Sequence, residues 1–246
     1  MTSLSIVTIT YNDDDGLART LSSLQELVQR AGKSVELIVV DGGQRAETRS
    51  LVESAIPGAQ VVSEEDDGIY DAMNKGLARA VGSHIWFLNG GDEAIASWPE
   101  IARILESNRG SVVLGDYVLA GRSIDLPRRS RRAGSLWHAL PTSHQAILYP
   151  REQINSIRYE QRYGIVADYA FTAELFVRGV QFVRGRVPLA RFHLDGVSNE
   201  QAVVIGKQAA VVQKSVLKQA PLLSFLSRCR HTASRQFRRV LAGRAE

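Results

Sequence analysis

The chain has 246 residues, 44% hydrophobic and 23% charged, a balance that supports one sizeable buried core and excludes disorder over the whole length. Its single cysteine, Cys229, excludes an internal disulfide framework and a cysteine-built zinc cluster. The net charge of +4 is unevenly spread, because from Gln201 onward nine basic residues face one acid, Glu246, so a basic tail follows a mildly acidic body.

The first half alternates strand and helix. Leu4 to Thr10 is a β-rich run followed by the polar patch Asn12-Asp13-Asp14-Asp15. Leu17, Leu21, Leu24 and Val28 then recur at helical spacing, with the aspartates suited to the helix N-terminus. Val35 to Val40 is near-continuously apolar, as in a strand buried on both faces, and it ends in Asp41-Gly42-Gly43. A helix from about Glu47 to Ser54, a short strand from Gln60 to Ser63 and a helix from Ile69 to Ala80 follow. A fourth strand, Ile85 to Leu88, ends in Asn89-Gly90-Gly91-Asp92-Glu93. This alternation predicts a largely parallel sheet covered on both faces.

The second half is less regular. Trp98 to Leu105 reads as helix, Ser111 to Leu119 and Ala146 to Tyr149 as strands, and Ala167 to Arg178 as a helix closed by Gly179. The basic run Arg128 to Arg132 is expected on a loop. From Leu222 to Leu241, apolar residues at spacings of three and four among arginines describe a basic amphipathic helix. It suits either an anionic membrane surface or docking on the body.

Ligands of open α/β sheets bind beyond the carboxyl ends of the strands. Asp41 and Asp92 both fall there, each beside glycines that let a ligand approach the backbone. Such carboxylates can hold a ribose hydroxyl or a metal ion, or they can simply form turns. Asp71, Asn74 and Lys75 share one face near the start of their helix, where polar groups can cradle a diphosphate. Asp168 stands at a helix start, where it could serve as a base or as a plain N-cap. His144 and Gln145 precede a strand. His193 has no role assigned.

These pieces carry a resemblance. Ile6 to Asn12, Val39 to Gly43, Asp67 to Gly76 and Phe87 to Asp92 look like glycosyltransferase family 2, most of all its bacterial exopolysaccharide, O-antigen and colanic-acid branch. Ser143 to Ala146, Ala167 to Tyr169 and Gly196 to Ser198 fall in the same order, so the resemblance covers about residues 3 to 200. It implies the GT-A fold, with a nucleotide-binding half (1–93), an acceptor half (94–200) and a basic helical tail (201–246). It implies an inverting sugar transfer from a nucleotide-sugar donor to a glycan acceptor, lipid-linked in this branch. By resemblance, Asp41 contacts the nucleoside, and Thr10 and Asn12 line its pocket. Asp71, Asn74 and Lys75 belong to the nucleotide site, and His144 and Gln145 touch donor sugar or acceptor. Asp168 is the general base. Asp92 ends the family's Asp-x-Asp motif and would ligate Mg²⁺ or Mn²⁺. Gly90 replaces the first aspartate, so Asp92 would be the one protein carboxylate on the metal, a coordination that suits magnesium, which keeps its waters.

Other classes fit less well. A sugar nucleotidyltransferase would need a glycine-rich triphosphate loop where this chain has Tyr11 to Asp15, and no G-x-G-x-x-G follows the first strand for a dinucleotide. The pI near 9.4 raises nucleic-acid binding, but the body carries no recognisable nucleic-acid module, so no nucleic acid is expected as a partner. With no run of ~18 apolar residues and no secretion signal, the expected location is the cytoplasm, peripheral to the inner membrane face if the tail binds lipid.

Overall fold

The computed structural model describes residues 2–121, 124–193, 199–227 and 229–230. Strands β1 (Leu4–Thr10), β2 (Val35–Asp41), β3 (Gln60–Ser63) and β4 (His84–Phe87) run parallel in the spatial order β3-β2-β1-β4. Their carboxyl ends therefore meet along one edge. Alternate residues of β1 serve opposite layers, as the strand period requires. Leu4 and Ile6 join the layer that contains Leu17, Leu21 and Leu24 of α1 (Asp14–Ala31) and Val52 of α2 (Ala46–Ala55). Val7 and Ile9 join the layer that contains Met73 and Leu77 of α3 (Ile69–Arg79). Gly76 lets α3 lie close on the sheet, since a Cβ there would stand 2.3 Å from Val7 Cγ1. The expected cap of α1 is present: Asp13 accepts from the Gly16 amide, with Asp14 and Asp15 in the first turn.

The second half extends the same sheet. Its elements are β5 (Glu93–Ala94), α4 (Trp98–Ser107), β6 (Val112–Ala120), β7 (Leu126–Arg128), β8 (Ile147–Pro150), α5 (Arg151–Ile154), α6 (Ala167–Val177), β9 (Phe182–His193) and α7 (Asn199–Ser215). The order continues β4-β8-β6-β9-β5, with β7 on β6. Here the pairing is mixed: β8 runs antiparallel to β4 and β6, while β9 runs parallel to β6.

Each element expected in the first half is found, within about a residue or two of its expected ends. In the second half, β9 and α7 go beyond what the sequence pattern offered. The separate tail expected from residue 201 begins instead inside α7, and α7 packs against the turn at Gln161–Val166 and against α6. Arg128, expected on a loop, ends β7. Of the expected helix from Leu222 to Leu241, residues 221–227 are helical, and 231–246 lie outside the described residues. So does the Gly196 to Ser198 piece.

Candidate active site

The strand ends build the first wall. Thr10 closes β1, is nearly buried, and reaches the Asp13 carbonyl at 3.4 Å. Asn12 follows with a left-handed backbone (φ 52°), its side chain against Gly43. Between them Tyr11 stands 69% exposed, an aromatic face at this edge that sequence reasoning did not single out. Asp41 is fully buried. Its Oδ1 accepts from the Gly43 amide and its Oδ2 from the Arg45 amide, both at 2.9 Å, with Ser63 Oγ at 3.3 Å from Oδ2. The carboxylate thus shapes the Gly42-Gly43 turn, the plainer of the two readings open from sequence.

Asp71, Asn74 and Lys75 are divided by the structure. Lys75 Nζ pairs with Asp71 Oδ2 at 3.0 Å and donates to the Glu65 carbonyl. Asp71 also accepts from the Asp67 amide, and its hydrogen bond with Lys75 leads the causes that hold its carboxyl below the usual range. The pair clips the acidic loop 65–67 to α3. Asn74 does something else in this structure. Its Nδ2 donates to the Tyr159 carbonyl and its Oδ1 accepts from the Tyr159 amide, both at 2.9 Å. An amide engaged at both ends is a bracket between α3 and the second half.

The opposite wall comes from the second half. A cavity of about 300 Å³ is lined by Asn89 of the β4 loop, by His144 and Gln145, by Tyr70 and Met73 of α3, and by Asp168. The structure therefore brings together three of the expected site residues, His144, Gln145 and Asp168. Thr10, Asn12, Asp41, Asp71, Asn74, Lys75 and Asp92 do not line this cavity.

His144 is held by rings. It stacks on Phe87 at 5.6 Å and meets Tyr159 edge-on at 5.9 Å. Among the described residues neither ring nitrogen has a hydrogen-bond partner, and burial pushes its pKa down to about 4, so the ring is neutral at pH 7. A neutral imidazole offers one donor and one acceptor. Gln145 receives Ser143 Oγ at 2.6 Å, while its backbone carbonyl takes the Trp86 indole N–H at 2.7 Å, tying this turn to β4.

Asp168 is not the N-cap of α6. Val166 holds that place, and Asp168 is the second helical residue, its Oδ1 accepting from the Tyr169 amide at 2.7 Å. Burial raises its pKa to about 6 against the opposing pull of backbone amides. Desolvation is the reason, because it penalises the charged form. Glu174, farther along α6, pairs with Arg178 at 2.9 Å on the exposed side.

Asp92 is nearly buried at the end of the Gly90-Gly91 turn, where Gly91 has φ +98°. Its Oδ1 accepts from the His193 amide at 3.2 Å. Beside it Arg191 reaches Glu93 at 2.7 Å and grips Asp125 with two 3.0 Å bonds, and His193 Nε2 meets Glu93 at 2.7 Å. These residues strap β5 to β9, and the sequence offered no sign of them because their partners are 66 to 101 residues apart. Among the described residues no group of three His, Cys, Asp or Glu side chains could hold a metal. Asp92 alone would leave a bound metal to complete its shell from water and phosphate.

Solved structures share this arrangement of strands and helices. Residues 1–349 of S. aureus TarS, solved with UDP, superpose with a TM-score of 0.67 over 87% of this chain and 66% of that one, at 16% identity. The mannosyltransferase PcManGT from Pyrobaculum calidifontis, solved with GDP-Man and Mn²⁺, superposes with a TM-score of 0.66 over 98% of this chain and 79% of that one, at 14% identity. The fold is the GT-A glycosyltransferase fold, its mostly parallel sheet flanked by helices. The model of Glycosyl transferase family 2 matches residues 5–179, and the chain belongs to that family. An uncharacterized glycosyltransferase of Mycobacterium tuberculosis is 34% identical, over 82% of this chain and 80% of its own. A PGL/p-HBAD biosynthesis glycosyltransferase of Mycobacterium bovis is 28% identical, over 81% and 77%.

Proposed function

We propose that this glycosyltransferase is inverting, that it draws on a nucleoside-diphosphate sugar, and that Asp168 is its general base. The observation that carries the reading is the position of a half-buried carboxylate, Asp168, in one cavity with the Asn89 loop of β4 and the unsatisfied nitrogens of His144. Asp168 takes the proton of the acceptor hydroxyl as that oxygen attacks the anomeric carbon from the side opposite the diphosphate. The new C–O bond forms as the bond to the diphosphate breaks, which inverts the anomeric centre. His144, with one donor and one acceptor, orients a sugar hydroxyl beside it.

The strand-end loops take the nucleotide: Thr10 and Asn12 line the base pocket, and Asp41 holds the turn against which the nucleoside lies. Asp71 and Lys75 set the loop 65–67 that borders it. Asp92 offers a carboxylate to Mg²⁺ or Mn²⁺, and the metal when bound offsets the negative charge gathering on the diphosphate. The nucleotides in the TarS and PcManGT structures, UDP and GDP-Man, support this donor class.

The acceptor in this reading is a lipid-linked glycan intermediate met at an anionic membrane surface. No helix among the described residues is long and apolar enough to cross a membrane. The basic C-terminal segment would supply peripheral contact.

Asp168→Asn tests the mechanism. The amide keeps the size of the side chain but cannot take a proton, so kcat is expected to fall by roughly 10²–10⁴ while nucleotide affinity stays put. A variant that transfers sugar at close to the parent rate would remove Asp168 from the chemistry.

A further inference from the structure

A second cavity opens on Asp168. It measures about 250 Å³ and is lined by His138, Leu140, Ile165, Val166, Ile205 and Ala209, besides Asp168 and Tyr169. Leu140 and Asp168 also line the first cavity, so the two meet at the carboxylate. Their linings differ in kind. The polar side chains that reach the second cavity are already engaged: His138 Nδ1 lies 2.9 Å from Ser227 Oγ, and the Tyr169 hydroxyl donates to the Leu136 carbonyl. What remains is aliphatic carbon around one half-buried acid.

A sugar ring seated among those carbons would lose its hydrogen bonds to water and gain few in return, at a cost of several-fold to many-fold in affinity per hydroxyl. An apolar group loses nothing there and leaves water. We infer that this cavity is the aglycone subsite of the acceptor: it receives an apolar ring or chain attached within a few bonds of the hydroxyl that Asp168 deprotonates. The inference rests on the reading of Asp168 as base and adds the chemistry of the acceptor. The volume is adequate, since a dry cavity of about 150 Å³ already holds benzene.

Part of the wall that makes the cavity lies beyond the region matched to the family. The family match ends at residue 179, whereas Ile205 and Ala209 come from α7. Gln208 of the same helix accepts a hydrogen bond from the Ile165 amide at 3.0 Å, and Tyr70 donates to the Ile165 carbonyl at 2.6 Å. Thus α7 both supplies two carbon faces and fixes a third, Ile165. The segment C-terminal to the matched region would then contribute to acceptor preference.

Direct binding tests this without turnover. Methyl, phenyl and octyl β-D-glucopyranoside share one sugar and differ only in aglycone. Their affinities for the full chain are measured by calorimetry or ligand-observed NMR, the octyl compound below its micelle concentration, with and without UDP or GDP. Burial of a ring or several methylenes predicts phenyl or octyl binding at least roughly tenfold tighter than methyl. Phenyl ahead of octyl identifies a ring as occupant, and the reverse a chain. Ala209→Phe fills the cavity and should erase the advantage while leaving the Kd for the nucleoside diphosphate unchanged. Should that variant fail to fold, Ile205→Ser at a half-buried position serves in its place. Equal binding of the three glucosides, or an advantage that survives the cavity-filling change, overturns the inference. That outcome leaves the base untouched, because Asp168→Asn is judged on kcat alone, and a fully active Asp168→Asn would equally leave the aglycone affinities standing.

Discussion

Asp168 couples catalysis to stability in opposite directions. Its pKa of about 6 in the folded protein lies above the unfolded value of about 3.9. Its contribution to stability is therefore fully present below pH ~4 and is lost as pH rises through about 6. Activity runs the other way, because only the carboxylate can take a proton: kcat should drop about tenfold per pH unit below pH ~6 and level off above it. Asp168→Asn removes the partly desolvated charge, so the inactive variant should be more stable than its parent by on the order of 1–3 kcal/mol at pH 8, with the gap closing toward pH 4. Thermal melts of both proteins across that range check the sign; a gap independent of pH would mean the carboxyl does not titrate as placed. The sequence could single out Asp168 but not its burial, which depends on the rings and aliphatic groups folded over it. Asn74 marks the same boundary. Helical spacing put it correctly on one face with Asp71 and Lys75, yet its partner, Tyr159, is 85 residues away.

At the scale of elements, legibility followed the strand period. β1, β2, β3 and β4 are short apolar runs closed by turn residues, and their ends could be read almost to the residue. β9 could not, because Gly185 and Pro188 interrupt it, Arg186 takes φ +53°, and its register with β6 shifts on either side of Asp116. The consequence for the site is local. β5 has only two residues, and its pairing with β9 joins Glu93 to Arg191 and Ala94 to Ala190. The Arg191 links to Glu93 and Asp125 hold that short pairing next to Asp92. Arg191→Ala should loosen it and so raise the Mg²⁺ or Mn²⁺ concentration needed for half-maximal activity several-fold, with nucleoside affinity in the absence of metal unchanged. An unaltered metal titration would separate the strap from the metal site.

The whole molecule is electrically lopsided, with its basic residues gathered toward the C-terminus. The helical segment 221–227 both docks and faces outward. Ser227 is buried against His138 and Gln213, while Leu222, Leu223, Phe225 and Leu226 are exposed, from 43% to 69%. Both readings open from sequence, docked helix and membrane contact, thus find a foothold in the same seven residues. Leu222→Asp with Phe225→Asp should abolish sedimentation with anionic vesicles and leave the melting temperature nearly unchanged, since neither side chain is buried. Binding by the parent should also weaken with salt. Vesicle binding that survives the double change would assign the apolar face to another partner.

The sheet itself sets how this molecule can move. β4 and β8 are hydrogen-bonded neighbours, so the first and second halves of the chain share one unbroken ladder, and the Asn74–Tyr159 bracket crosses between them a second time. Among the described residues, a frame of that kind offers no hinge about which its two halves could swing. Substrate entry and product escape are then left to surface loops such as 65–67, whose motions involve few residues and need no rearrangement of the core. Turnover should accordingly leave the slow amide exchange of β1, β4 and β8 unchanged, while exchange in the 64–68 loop tracks nucleotide occupancy.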